Sequence, residues 1–195
     1  MKFKVVESAD YNPSPEYLEF FKLNNIDPNG LNYLGSGDFG EAWDIGNDRV
    51  LKVTTSKSEF DIATNLVGKE KQFDSFAKIY TTSIIDNDYV IIVELLEIDS
   101  EIENMFYFVM QMLDSQSLPI QYIDHLDYDE ISEEISEEID HFIQGISNIA
   151  TDYRNLGIEA SDIRSENMGW GKDSTGRTVL KAFDIEDRGI KWNLK

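Results

Sequence analysis

The segment Gly35-Ser-Gly-Asp-Phe-Gly40 is an unbroken G-x-G-x-x-G, and its flanks restrict the fold more than any other stretch of the chain. Leu31 to Leu34 reads as a strand running into the glycines, and Glu41 to Ile45 reads as a second strand leaving them. A dinucleotide-binding fingerprint needs its glycines to open a helix, so a strand on the far side argues against that use. The pattern specifies instead a glycine-rich loop between two antiparallel strands, whose backbone other atoms can approach because no Cβ intervenes. Gly46-Asn47-Asp48 is a turn signal, and Arg49-Val-Leu-Lys-Val53 follows as a third strand. Strand alternation puts Val50 and Lys52 on the same face of it.

Around this core of strands the periodicity predicts further elements. Lys2 to Val6 reads as a short strand, and Ser14-Pro15-Glu16 supplies the N-cap, N1 proline and early acid of a helix running to about Leu23. Ser58 to Val67 reads as a short helix ended by Gly68, with Ile62, Ala63, Leu66 and Val67 as its apolar face. Glu59 lies three and four residues before Ile62 and Ala63, so it points inward with them. Asp61 projects with Thr64 and Asn65 toward the other side. Phe76 to Thr82 and Tyr89 to Leu95 are expected as two strands joined by an Asp86-Asn-Asp88 turn.

The second half is helical until near its end. Ser100 to Leu113 reads as a helix with Ile102, Met105, Phe106, Val109 and Leu113 as its buried stripe, and Ser115 to Asp127 is irregular. From Ile131 the apolar positions Ile135, Ile139, Phe142, Ile143, Ile146, Ile149 and Tyr153 predict one helix of roughly 28 residues, about 40 Å long. Beyond Gly157 comes Ala160-Ser-Asp-Ile-Arg-Ser-Glu-Asn167. Met168-Gly-Trp170 and Thr178 to Phe183 then form a hairpin that delivers Asp184 within Ala182-Phe-Asp-Ile-Glu186.

Composition excludes several chemistries. No cysteine means no disulfide framework and no thiolate, and two isolated histidines, His125 and His141, make no zinc-ligand pattern. At 195 residues with 41% hydrophobic and 12% aromatic residues, the chain has enough apolar material to fold despite a formal charge of −21. Its longest apolar run, Met105 to Met110, is far too short to span a membrane. The acidity is uneven: residues 79–153 carry 18 acids and no lysine or arginine. Such a segment repels phosphate backbones, which argues against direct nucleic-acid binding, and would attract a basic partner surface. It serves equally well as a solvated face.

The order of glycine loop, strand lysine, D-x-x-x-x-N and hairpin aspartate resembles the protein-kinase-like fold over about residues 31–187, most closely the compact kinase-like proteins often encoded by bacteriophages. The resemblance implies an α+β, two-lobed architecture. Residues 1–97 would be a small antiparallel-sheet N-lobe with the glycine-rich loop, and 98–195 a minimal helical C-lobe with the catalytic loop and metal-binding aspartate. It implies ATP and Mg²⁺ as ligands. Gly35, Gly37 and Gly40 would cradle the triphosphate, Phe39 would cap the loop tip, and Val50 would roof the adenine. Lys52 would reach the α- and β-phosphates with Glu59 as its candidate partner, and Glu94 to Glu97, including Leu96, would be the hinge whose backbone groups bind adenine. Asp162 would be the catalytic base or substrate-orienting carboxylate, with Asn167 and Asp184 as magnesium ligands.

The departures from the family pattern are specific. Ala160-Ser161 stands where H-R-D has His-Arg, Ile185-Glu186 replaces Phe-Gly, and only eleven residues follow Asp184, so no activation segment fits. Because the charged and amide positions survive, an active phosphotransferase with an unidentified acceptor, for instance a protein, is favoured over a pseudokinase. The remaining alternative is an acidic interaction protein that modulates a basic host partner through the 79–153 face. With no apolar leader or span, the expected location is the cytoplasm, a host's if the chain is phage-encoded.

Overall fold

The computed structural model describes residues 13–37, 39–98, 100–112, 137–158 and 163–185. The strand expected over Lys2 to Val6, the irregular stretch Ser115 to Asp127, the first residues of the long helix from Ile131, and Asp162 lie outside these. An N-terminal antiparallel sheet region is followed by helices and a small hairpin. By contacts the chain forms two compact units, Met1–Gly68 with Lys78–Leu95 and Lys69–Ala77 with Leu96–Lys195.

In the first unit, α1 (Pro15–Leu23) starts where Ser14 accepts a hydrogen bond from the Tyr17 N–H at 3.2 Å, with proline at N1 where no amide donor is needed. Tyr17, Phe20 and Phe21 recur at helical spacing and are buried. The five strands are β1 (Asn32–Ser36), β2 (Gly40–Asp44), β3 (Arg49–Thr54), β4 (Ile79–Ile85) and β5 (Asp88–Glu94), in the order β1-β2-β3-β5-β4 and antiparallel throughout. One sheet face, with Trp43, Leu51, Val53, Val90 and Ile92, joins the α1 aromatics in a single core. The opposite face carries Ala42, Lys52 and Ile91 in one cross-strand row. Asp86 and Asn87 both adopt positive φ (52° and 71°), the conformation of a tight hairpin turn, between Ile85 and Asp88, which pair. Helix α2 (Lys57–Leu66) has Ser56 as N-cap and buries Glu59, Ala63 and Leu66; Ile62 is half-buried, while Val67 ends the helix exposed.

In the second unit, α3 (Ser100–Met112) buries Ile102 and Val109. Helix α4 (Glu137–Asn155) buries Phe142, Ile143, Ile146, Ile149 and Tyr153 along one stripe, the positions at which the sequence repeats. It packs on the hairpin of β6 (Met168–Lys172) and β7 (Thr178–Ala182), coming so close that a Cβ on Gly145 would lie 2.7 Å from Leu180 Cβ. Phe76 is not part of β4. It bridges to Ala182 and meets Tyr153 edge-on at 5.1 Å, and the Ser75 hydroxyl donates to Asp152, so the stretch expected as one strand over Phe76 to Thr82 is shared between two partners.

Candidate functional site

The glycine hairpin is built by close approach at one end and openness at the other. Gly40 pairs with Thr54, and a Cβ there would lie 2.3 Å from the Val53 carbonyl oxygen, so only glycine lets β2 and β3 come this near. Gly35 and Gly37 are different: among the described residues a Cβ on either would meet nothing within 4 Å, although Gly35, at φ 157°, holds a backbone conformation that other residues rarely adopt. The Gly37 N–H donates to Gly40 O at 2.9 Å, narrowing the loop. Phe39, at the tip, is exposed, while its carbonyl accepts from the Thr55 N–H (2.6 Å), the Thr55 hydroxyl (3.0 Å) and the Thr54 hydroxyl (3.2 Å).

Lys52 Nζ lies 2.5 Å from Glu59 Oε1, with the two side chains 15% and 10% exposed. The strand period turns Lys52 to the face away from the α1 core, and the helix period turns Glu59 inward with Ala63 and Leu66. Ser56 fixes the first turn of α2 by accepting the Glu59 N–H at 3.2 Å, so the residue carrying the carboxylate is itself held by the cap. Ion pairs this well covered are costly to break, because the survivor is left as a buried charge. Asp61 is on the outer side, paired with Lys57 across an exposed i,i+4 contact that raises the lysine pKa chiefly through their hydrogen bond. Val50, buried, shares the Lys52 face.

The segment Glu94–Glu97 has most of its amide donors engaged. Glu94 N–H donates to Lys78 O (2.9 Å), Leu95 N–H to Asp48 O (2.9 Å) and Glu97 N–H to Trp170 O (2.9 Å), whereas the Leu96 N–H has no partner among the described residues. The Glu94 carboxylate accepts the Lys78 N–H at 2.9 Å. Leu96 is buried in the second unit against Gly169, where a Cβ would come within 2.6 Å of Leu96 Cβ.

Asn167 ends a 3₁₀ turn, Ser165–Asn167, directly before β6. Its carbonyl accepts the Phe183 N–H at 2.9 Å, which brings Asn167 alongside the backbone that leads into Asp184. Asp184 is exposed and has φ 56°, a left-handed conformation that aspartate tolerates better than most residues but that still carries some cost. An amide oxygen and a carboxylate are hard donors of the kind Mg²⁺ takes, so these two residues fit that ion by their chemistry. No group of three or more histidine, aspartate or glutamate side chains arranged for a metal occurs among the described residues. Asp162, whose carboxylate the kinase pattern would add, lies outside them.

Sequence reasoning assigned no role to Thr54, Thr55 or Gly169. The signal for Gly169 was weak, a small residue inside a strand. For the threonines it was the shortness of the link between Lys52 and the helix that carries Glu59, which leaves their hydroxyls next to the loop.

No protein-family model matches the chain, and no curated protein matches it in sequence. Among solved structures, the crystal structure of a kinase domain is similar to it with a TM-score of 0.44 and 16% identity, over 80% of this chain and 50% of that one. The chain thus spans about half the length of the kinase domain it matches. The likeness is a distant, coarse one of fold, and no residue's role follows from it. No helix among the described residues is long and apolar enough to cross a membrane.

Proposed function

We propose that the protein is an ATP- and Mg²⁺-dependent phosphotransferase that uses its residues in the kinase manner. The observation that carries this reading is the pair between Lys52, on the strand that follows the glycine hairpin, and Glu59 of α2. A flexible ammonium held in one direction by a carboxylate is suited to phosphate oxygens, and Gly37 is a glycine that packing among the described residues does not require. Phosphoryl transfer asks chiefly for positioning and charge neutralisation, which this residue set can supply.

In this reading residues 1–97 supply the nucleotide contacts and 98–195 the metal and acceptor contacts. Gly35, Gly37 and Gly40 face the phosphates, Phe39 covers the loop tip and Val50 lies over the adenine. The segment from Glu94 to Leu96 reads the adenine edge, with the Leu96 N–H as the donor not engaged within the described chain. Asn167 and Asp184 would hold Mg²⁺, which when bound neutralises charge on the phosphates. Asp162 orients the acceptor hydroxyl and takes its proton. The test is incubation with γ-labelled ATP and Mg²⁺, alone and with cell lysate. The reading expects label on an acceptor, lost in Asp162→Asn. ATP binding without any transfer would move the protein to the pseudokinase class.

A second reading is favoured by one observation: Glu137, Glu138 and Asp140 on the first turns of α4 are exposed in a segment without basic residues. That surface would engage a basic protein partner through association that is fast and sensitive to salt.

A further inference from the structure

We propose that the Thr54 hydroxyl is a positioning group that ties the glycine loop to the first turn of α2, and through that turn to the Lys52–Glu59 pair. Thr54 is the last residue of β3, two positions after Lys52, and is 1% exposed. Its hydroxyl uses both of its capacities. It donates to the Phe39 carbonyl at 3.2 Å, in the glycine loop, and it accepts the Ser56 N–H at 3.1 Å, at the N-cap of α2. The Ser56 side chain in turn accepts the Glu59 N–H at 3.2 Å, and Glu59 holds Lys52. Four polar contacts therefore run without a break from the tip of the loop to the ammonium.

The arrangement follows from the chain's economy. Only Lys57 and Ser58 lie between the N-cap Ser56 and Glu59, and β3 ends at Thr54, so no spare residues separate loop, strand and helix. With so short a link, a displacement of the Phe39 carbonyl is not absorbed by slack backbone. The Thr55 N–H, which also donates to Phe39 O at 2.6 Å, stiffens the same joint. The exposed polar pair nearby takes no part in this path: Lys57 and Asp61 pair with each other on the outer side of the helix.

The consequence is that movement of the glycine loop and the aim of Lys52 are coupled, so that a nucleotide drawing the loop over its phosphates also sets the lysine. This consequence rests on the phosphotransferase reading; the coupling itself does not. Thr54→Val removes the donor and the acceptor while keeping the shape, and Thr54→Ser keeps both. Two measurements separate the two claims. Amide hydrogen exchange of the protein without nucleotide reads the coupling at the Thr55, Ser56 and Glu59 N–H groups, and titration with ATP and Mg²⁺ reads its use.

We expect Thr54→Val to speed exchange at all three amides together and to weaken ATP·Mg²⁺ binding roughly five- to tenfold, the equivalent of one or two hydrogen bonds, with Thr54→Ser close to wild type in both. Faster exchange at Ser56 alone, with Thr55 and Glu59 unchanged, would overturn the coupling. Equal losses in the valine and serine variants would overturn the assignment to the hydroxyl. Joint acceleration of the three amides in Thr54→Val, with a wild-type protein that binds no ATP, would support the coupling and overturn the phosphotransferase reading.

Discussion

Lys52 and Glu59 meet because a period of two and a period of 3.6 happen to agree: alternation along β3 turns the lysine outward from the α1 core, and the α2 face turns the glutamate inward. Only the second of the two acids on that helix turn, Asp61, is left at the surface. Glu59→Gln should therefore reduce ATP·Mg²⁺ affinity by about tenfold or more, because the lysine loses its charged partner in a covered position, while Asp61→Asn should stay within about twofold. The comparison is made by nucleotide titration, and the reverse order would show that another carboxylate orients Lys52. Gly40→Ala should lower stability by about 1–3 kcal/mol in denaturant unfolding, since its Cβ would strike the Val53 carbonyl, whereas Gly37→Ala should cost under about 0.5 kcal/mol yet weaken nucleotide binding. A Gly37→Ala protein that keeps full affinity would remove the loop from the phosphate site. At this scale the inward direction of Glu59 was legible from the helix face. The bonds of Thr54 were not, because which hydroxyl reaches which carbonyl depends on where the loop backbone comes to rest.

At the scale of elements, the turn between β6 and β7 is held by one carboxylate. Asp173 accepts from the Thr175 hydroxyl and N–H and from the N–H and guanidinium of Arg177, and these bonds, the Thr175 hydroxyl first, hold its pKa well below the usual carboxylate range. A depressed folded-state pKa stabilises the fold above the unfolded value, about pH 4, and the contribution is lost as pH falls below it. Asp173→Asn should thus lower the melting temperature at pH 7 and make progressively less difference below about pH 4; a constant difference across that range would contradict the account. Most elements could be read from the chain, since caps, glycines and apolar periods coincide at Ser14, Gly68 and along α4. The start of β4 could not. Phe76, Ala77, Ile79 and Tyr80, broken only by Lys78, read as one strand, but the chain changes partner within it, from Ala182 to Val93, and only tertiary pairing records that change.

For the molecule as a whole, the charge distribution and the site make separate demands. Glu137 and Glu138 are exposed on the first turn of α4 and belong to none of the positions assigned to the nucleotide, so changing both to glutamine should leave ATP binding within about twofold while weakening any salt-sensitive capture of a basic protein. Retention of every partner at low and moderate salt would make the acidic face a solvated surface only. Composition alone pointed to no particular fold; the order of the motifs along the chain carried the kinase-like expectation. The central claim is that the glycine hairpin and Lys52 bind a nucleotide with Mg²⁺, and the direct measurement is the melting temperature with ATP and Mg²⁺, with ATP and chelator, and in Lys52→Met. Ligand that binds only the folded state at about 100 times its Kd adds roughly 2.7 kcal/mol, so the account predicts a rise of about 5–10 °C for the wild type, diminished by chelator and absent in Lys52→Met. No rise at millimolar ATP and Mg²⁺, or an equal rise in Lys52→Met, would contradict it.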